Sequence, residues 1–192
     1  MINYTTRLDK ALRKAAWAHE QANQHRKGTD IPYIIHPVGV MMIAGNVTDD
    51  EEILIACLMH DVLEDVDSEI YSEVDMKTEF GDRVVGIVKD VTKDKTTSDW
   101  HKCSKAYLKH ITEEASDEAI IVCASDKIHN IKSTIIDYQE IGEDVWQRFT
   151  TKSKDDQIWW YESTLQAITK RQAPKMLIQN LAALVNELHA II

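Results

Sequence analysis

Glycine and proline are scarce in this chain, six and three residues among 192, which disfavours a turn-rich β architecture. Cysteine is equally sparse. Cys57, Cys103 and Cys123 are odd in number, widely spaced and set in apolar or helical-looking contexts, so they read as reduced core thiols rather than a disulfide frame or a zinc knuckle. No stretch approaches the ~18 apolar residues of a membrane span, and the opening MINYTTRLDKALRKA lacks the apolar core of a secretory signal. A cytoplasmic protein without a membrane partner is expected. Basic residues are outnumbered, 22 Lys and Arg against 32 Asp and Glu, for a net charge of −10. Such a surface does not attract duplex nucleic acid. Between Asp49 and Glu79 the only lysine or arginine is Lys77, so an anionic ligand there needs cations from elsewhere in the fold or a bound metal.

What is present points to helices. Leu8, Leu12, Ala15, Ala16, His19 and Ala22 recur at three- and four-residue steps after Thr5 or Thr6 as N-cap. His25 to Tyr33 carries Gly28 and Pro32 and reads as a loop, and Pro37 suits the first turn of a helix running to Gly45. Ile53 to Leu58 reads as a helix buried all round. Ser68 is the expected cap of a helix reaching Phe80 and stopping at Gly81, with Asp82 capping the next. Val84 to Val91 is β-branched enough for a strand, though its spacing fits a helix equally. Lys93 to Ser98 reads as a polar loop with Lys93 and Lys95 at the surface, and Trp100 to Ile111 as a helix. A helix after Ser116 is expected to end at Ser125-Asp126, a long one to run from Glu143 to about Lys170, and a last one to follow Pro174. Trp146, Phe149, Trp159 and Trp160 read as packing residues. The expectation is all-α: one compact domain over 1–192, a bundle of about eight or nine helices, with helices 143–190 packed on the rest.

The chemistry concentrates where the buried run ends, in His60-Asp61-Val62-Leu63-Glu64-Asp65. Burying ionisable groups is costly unless they are paired or bind a metal; a solvated helix end is the plainer reading. His36, after Ile34-Ile35, and Asp126, after the apolar run AIIVCAS, share that setting. Two imidazoles and two carboxylates suit a divalent first-row metal with positions open to water and substrate. Glu64 and Asp65 follow His60-Asp61 at i+4 and i+3 spacings, and a carboxylate there can take a proton from an attacking water. Glu64, with the longer side chain, is the favoured base. His19, His25, His101, His110, His129 and His189 have no motif support.

His…HD…Asp resembles the signature of the HD-domain metal phosphohydrolases, and HDVLED is similar to the HD-x-x-ED form of the hydrolase domain of RelA/SpoT-type alarmone enzymes. RKGTDIPYIIHP (Arg26 to Pro37), GIVKDVTK (Gly86 to Lys93) and ASDKIHNIKS (Ala124 to Ser133) match in the family's order, so the motif-bearing part covers about 24–133. The resemblance implies a stand-alone small alarmone hydrolase that removes the 3′-pyrophosphate of ppGpp or pppGpp to give GDP or GTP and pyrophosphate, usually with Mn²⁺. It assigns His36, His60, Asp61 and Asp126 to the metal and Glu64 and Asp65 to water activation. It places Arg26 against the purine, and Lys27, Tyr33, Lys127 and Asn130 in the substrate pocket. A lysine after Val91-Thr92 is also a family feature that meets phosphate.

The chain departs from the family pattern at Gln21 and Asn23, where a His and a Gly are common, while Gln24 is kept. Guanine against adenine alarmones therefore stays open at this point. So do another HD phosphohydrolase activity (a nucleoside monophosphatase, a dNTPase or an NADPH phosphatase), a nucleotide sensor without turnover, and the oligomeric state.

Overall fold

A computed structural model describes residues 2–94 and 97–192, so the expectation for Lys95 falls outside the described residues. In chain order the elements are α1 (Thr6–Gln21), α2 (Ile35–Ala44), α3 (Glu51–Met59), α4 (Val62–Asp65), α5 (Glu73–Phe80), α6 (Asp82–Val91), α7 (Trp100–Glu113), α8 (Asp117–Ile141), a 3₁₀ helix (Gly142–Arg148), α9 (Lys154–Lys170) and α10 (Lys175–Ile191). Among the described residues there is no strand, only an isolated antiparallel bridge between His25 and Pro32. The all-α expectation holds, with nine helices of eight residues or more among the described residues and α4 as a single turn.

Two helices organise the rest. α3 buries every residue from Ile53 to Met59 because α1, α2, α6 and α8 surround it. α8 packs on α2, α3, α6, α9, α10 and the 3₁₀ helix. Polar residues at the end of α3 and in the middle of α8 are thereby delivered to the same interior region. Arg83 fastens the entry to α3, pairing with Asp50 at 2.7 Å, Glu52 at 2.9 Å and Glu118 at 3.2 Å.

Several local expectations are corrected. On α1 the expected Leu8, Ala15 and His19 are buried, joined by Ala11 and Ala18, while Leu12 and Ala22 pack partly buried against the core. α5 begins at Ser72, not Ser68: the Ser72 side chain accepts from Asp75 N while Asp75 reaches back to Ser72 N, a reciprocal capping box. Gly81, not Asp82, caps α6, and Val84–Val91 is helical, burying Val84, Val85, Ile87, Val88 and Val91. α8 does not stop at Asp126. Ile128, Ile131 and Ile135 continue its buried stripe, and it ends only at Gly142 with φ 61°. The long helix expected over 143–170 is interrupted: Phe149 is extended, Lys152 has φ 52°, and Ser153 caps α9 by accepting from Asp156 N.

Candidate metal centre and cleft

His36 stands in the first turn of α2, His60 and Asp61 in the break between α3 and α4, and Asp126 in the middle of α8. The break matters, because His60-Asp61 do not continue α3 and Asp61 instead precedes the single turn bearing Glu64 and Asp65. One ligand-type atom from each of His36, His60 and Asp126 falls within 4.8 Å of the others. Asp61 Oδ2 lies 3.0 Å from His60 Nε2 and 3.5 Å from His36 Nε2, and Asp126 Oδ1 lies 3.2 Å from His36 Nε2. The four residues named from sequence converge on one point.

The donor set fits a divalent cation. His60 Nδ1 is 2.9 Å from the Cys57 carbonyl oxygen, which only a ring N–H can satisfy. In the neutral ring that tautomer leaves Nε2 bare, and Nε2 is a buried atom without a hydrogen-bond partner, facing two carboxylates. Opposed lone pairs in a desolvated place call for a positive charge between them. The same tension appears in the acidities. Burial pulls the His60 imidazolium down, yet Asp61 and Asp126 outweigh it and raise its pKa to about 9. Burial opposes ionisation of Asp61, but His60 and His36 hold it well below the usual carboxylate range. Asp126 is held low in the same way, against burial, by Lys127 and His36.

A second ring of side chains fixes these groups. Tyr33 Oη donates to Asp61 Oδ2 at 2.6 Å; burial and the Asp61 charge push the Tyr33 phenol far above its ordinary pKa, so it stays a donor. Lys127 Nζ donates to Asp126 Oδ2 and Asn130 Nδ2 to Asp126 Oδ1, each at 2.5 Å. Arg26 Nη2 donates to Asn130 Oδ1 at 2.9 Å, and its guanidinium lies 5.7 Å from the Tyr33 ring centroid. Glu64 Oε2 accepts the Lys93 N–H at 2.8 Å, and Gln24 Nε2 donates to the Asp65 carbonyl at 2.9 Å. The single turn α4 is thus pinned from both sides.

These residues open into a cleft of about 580 Å³, within the size range of small-molecule sites. Arg26, Lys27, Tyr33, Lys127 and Asn130 all line it, as do His36, Asp61, Glu64, Asp65 and Asp126. His60 sits behind the wall.

Sequence reasoning missed several neighbours. His129 Nδ1 meets His36 Nδ1 at 2.9 Å; burial and His36 push its pKa down to about 3, so it is a neutral partner. The available signal was its place one turn after Asp126 on α8. Lys93 is not the surface lysine expected: its ammonium lies 4.2 Å from the Trp160 ring centroid and 3.2 Å from Ser104 Oγ. Burial and the nearby Lys127 lower its pKa to about 8. Trp160, read as packing, is both core and cleft wall. Arg148 and Phe149 also line the cleft, from the interruption that the sequence pattern had hidden.

Residues 11–153 match the model of the HD domain family. An Aquifex aeolicus protein named guanosine-3′,5′-bis(diphosphate) 3′-pyrophosphohydrolase is 33% identical over 134 residues, which is 69% of this chain and 19% of that protein. The Xenopus tropicalis guanosine-3′,5′-bis(diphosphate) 3′-pyrophosphohydrolase MESH1 is 35% identical over 122 residues, 62% of this chain and 64% of that one. The chain thus spans about a fifth of the first relative and just under two thirds of the second. A solved structure, of a metazoan ortholog of SpoT that hydrolyzes ppGpp and plays a role in starvation responses, superposes with a TM-score of 0.80 at 25% identity. It covers 97% of this chain and 98% of its own.

Proposed function

Since the chain belongs to the HD domain family, we propose that it hydrolyses the 3′-pyrophosphate of ppGpp or pppGpp, releasing GDP or GTP and pyrophosphate, with Mn²⁺ as the physiological metal. The observation that carries this reading is the convergence of His36, His60 and Asp126 within 4.8 Å, with Asp61 against both imidazoles, at the floor of a cleft lined by lysine and arginine. Relatives named for this activity and the similarity to a ppGpp-hydrolysing structure support the substrate. The functional unit is taken as the whole of 1–192, because α9 adds Trp160 and Tyr161 to the cleft that the motif-bearing part begins.

In this reading His36, His60, Asp61 and Asp126 hold the metal. A divalent ion supplies Lewis acidity, polarising a phosphoryl oxygen and lowering the pKa of water. The protein does the rest. Glu64, held through Oε2 by the Lys93 N–H, takes the proton of the attacking water, with Asp65 beside it on the same turn. The water oxygen bonds to the phosphorus carried by the ribose 3′ oxygen; that P–O bond breaks, pyrophosphate departs, and the 3′ oxygen takes the proton held by Glu64 to become the hydroxyl. Lys27, Lys93 and Lys127 neutralise phosphate charge, and Arg26 lays its planar cation on the purine. Tyr33 keeps Asp61 turned towards the imidazoles.

The test is a Mn²⁺ titration of apo-protein, read by the electron paramagnetic resonance of free Mn²⁺, run beside a ppGpp turnover assay. Wild type should bind Mn²⁺ and turn over ppGpp. Asp61→Ala and Asp126→Ala should lose both, whereas Glu64→Gln should keep the metal and lose turnover by about 10²-fold or more. Undiminished Mn²⁺ binding in both aspartate variants would overturn the ligand assignment.

A further inference from the structure

The end of the cleft remote from Asp126 is closed by residues that neither the metal site nor the attacking water uses. Asp126, Asn130, Ser133 and Asp137 line the cleft from successive turns of α8, which carries the wall ~16 Å along the helix axis. At its end Arg148 Nη1 donates to Asp137 Oδ2 at 2.8 Å, the two side chains being 19% and 29% exposed. The Arg148 stem lies directly on Gly28: a Cβ there would come within 2.8 Å of Arg148 Cγ, and Gly28 has φ +69°, a backbone setting that favours glycine. Arg148 is therefore seated beside the loop that carries Arg26 and Lys27. Phe149 faces the same loop, with the Lys27 ammonium 5.8 Å from its ring centroid.

The pair has capacity to spare. Among the described residues Asp137 Oδ1 makes no hydrogen bond, and Arg148 spends on Asp137 only one of the five N–H donors of a guanidinium. An acceptor-only carboxylate beside unspent guanidinium donors is the complement of one purine. Guanine carries the N1–H and N2–H donors next to the O6 acceptor; adenine places a lone pair at N1 and a donor at N6. A carboxylate meets donors on guanine and a lone pair on adenine.

We propose that Asp137 and Arg148 are the base-reading end of the cleft, Asp137 accepting from the N1–H and N2–H edge of guanine and Arg148 donating to O6, so that guanine is selected over adenine. This deepens the alarmone reading above and rests on it for the pose, with the phosphates at Asp126 and the base stacked on Arg26. The signal lies outside the motif-bearing part 24–133, in the 3₁₀ helix and the last turns of α8.

The test is calorimetric binding of GDP and ADP to the full-length protein, neither needing turnover, with ppGpp and its adenine counterpart assayed on the same preparations. Wild type should bind GDP about tenfold or more tighter than ADP, the size expected of charge-assisted hydrogen bonds. Asp137→Asn is nearly isosteric and its amide can pair with adenine, so the GDP-to-ADP ratio should fall about tenfold, with the turnover preference moving through KM rather than kcat. Arg148→Lys keeps the charge but loses the fork, and should weaken GDP while leaving ADP unchanged; it carries the test if Asp137→Asn does not fold. An unchanged ratio in these variants, or equal weakening of both nucleotides, overturns the proposal and reduces the pair to a latch on Gly28. Guanine-selective binding that Asp137→Asn abolishes, in a protein that leaves both alarmones intact, sustains base reading while refuting the hydrolase reading.

Discussion

His129 decides more than its lack of a motif suggests. For His36 Nε2 to present a lone pair to a cation, its Nδ1 must carry the proton and donate to His129 Nδ1, 2.9 Å away. Partners of this kind typically change metal affinity 10–100-fold when removed, so His129→Ala should weaken Mn²⁺ binding by about that factor without loss of helical signal. Its ring reaches this place over Gly39, where a Cβ would sit 2.0 Å from His129 Cδ2. Gly39→Ala should therefore cost about 1–3 kcal/mol by overpacking, and much of that should vanish in a His129→Ala background, as a double-mutant cycle would measure. A pH effect follows as well. Burial and His36 hold the folded pKa of His129 at about 3, against about 6.5 in an unfolded chain. Below pH 6.5 the unfolded state takes up a proton that the fold refuses, so this group's stabilising contribution is complete above pH ~6.5 and is lost as pH falls towards 3. The urea midpoint of apo wild type should drop more between pH 7 and pH 5 than that of His129→Gln; parallel curves would contradict the assignment.

Among the elements, α3, α4 and α8 form the site by ending, breaking and continuing where they do. A helix as apolar as α3 is legible in sequence because no face of it is polar, and so was the cluster that follows. The His60-Asp61 break was not legible, since the spacing of HDVLED suits one continuous helix as well as a helix, a turn and α4. The length of α8 was hidden for the opposite reason. Ser125, Asp126 and Lys127 resemble a polar stop, but Asp126 and Lys127 face the cleft while Ser125, Ile128 and Ile131 are buried. The interruption after Arg148 lacks a glycine or proline until Pro174, and it brings in Arg148 and Phe149. Capping offers a direct check at this scale. Ser72 and Asp75 cap α5 reciprocally, so Ser72→Ala should lower stability by about 0.5–2 kcal/mol. Ser68→Ala, at the position favoured by the sequence pattern, should change it by less than about 0.5 kcal/mol.

At the scale of the whole molecule, an acidic chain of net charge −10 gathers cations where an anion must enter. Arg26, Lys27, Lys93, Lys127 and Arg148 all line one cleft, and two of them are held against aromatic faces of Trp160. Attraction of a highly charged nucleotide into that cleft is screened by salt over about 8–10 Å at physiological ionic strength, so KM for ppGpp should rise between 50 mM and 500 mM KCl while kcat changes little. A KM indifferent to salt would show that these cations do not meet phosphate. The central claim, water-driven release of an intact pyrophosphate from the 3′ position, is tested most directly by resolving the products of ppGpp by ion-exchange chromatography after incubation with Mn²⁺-loaded protein. We expect GDP and pyrophosphate in equal amounts, both abolished by EDTA and by Glu64→Gln. Release of single phosphates, or ppGpp recovered intact from metal-loaded protein, would contradict it.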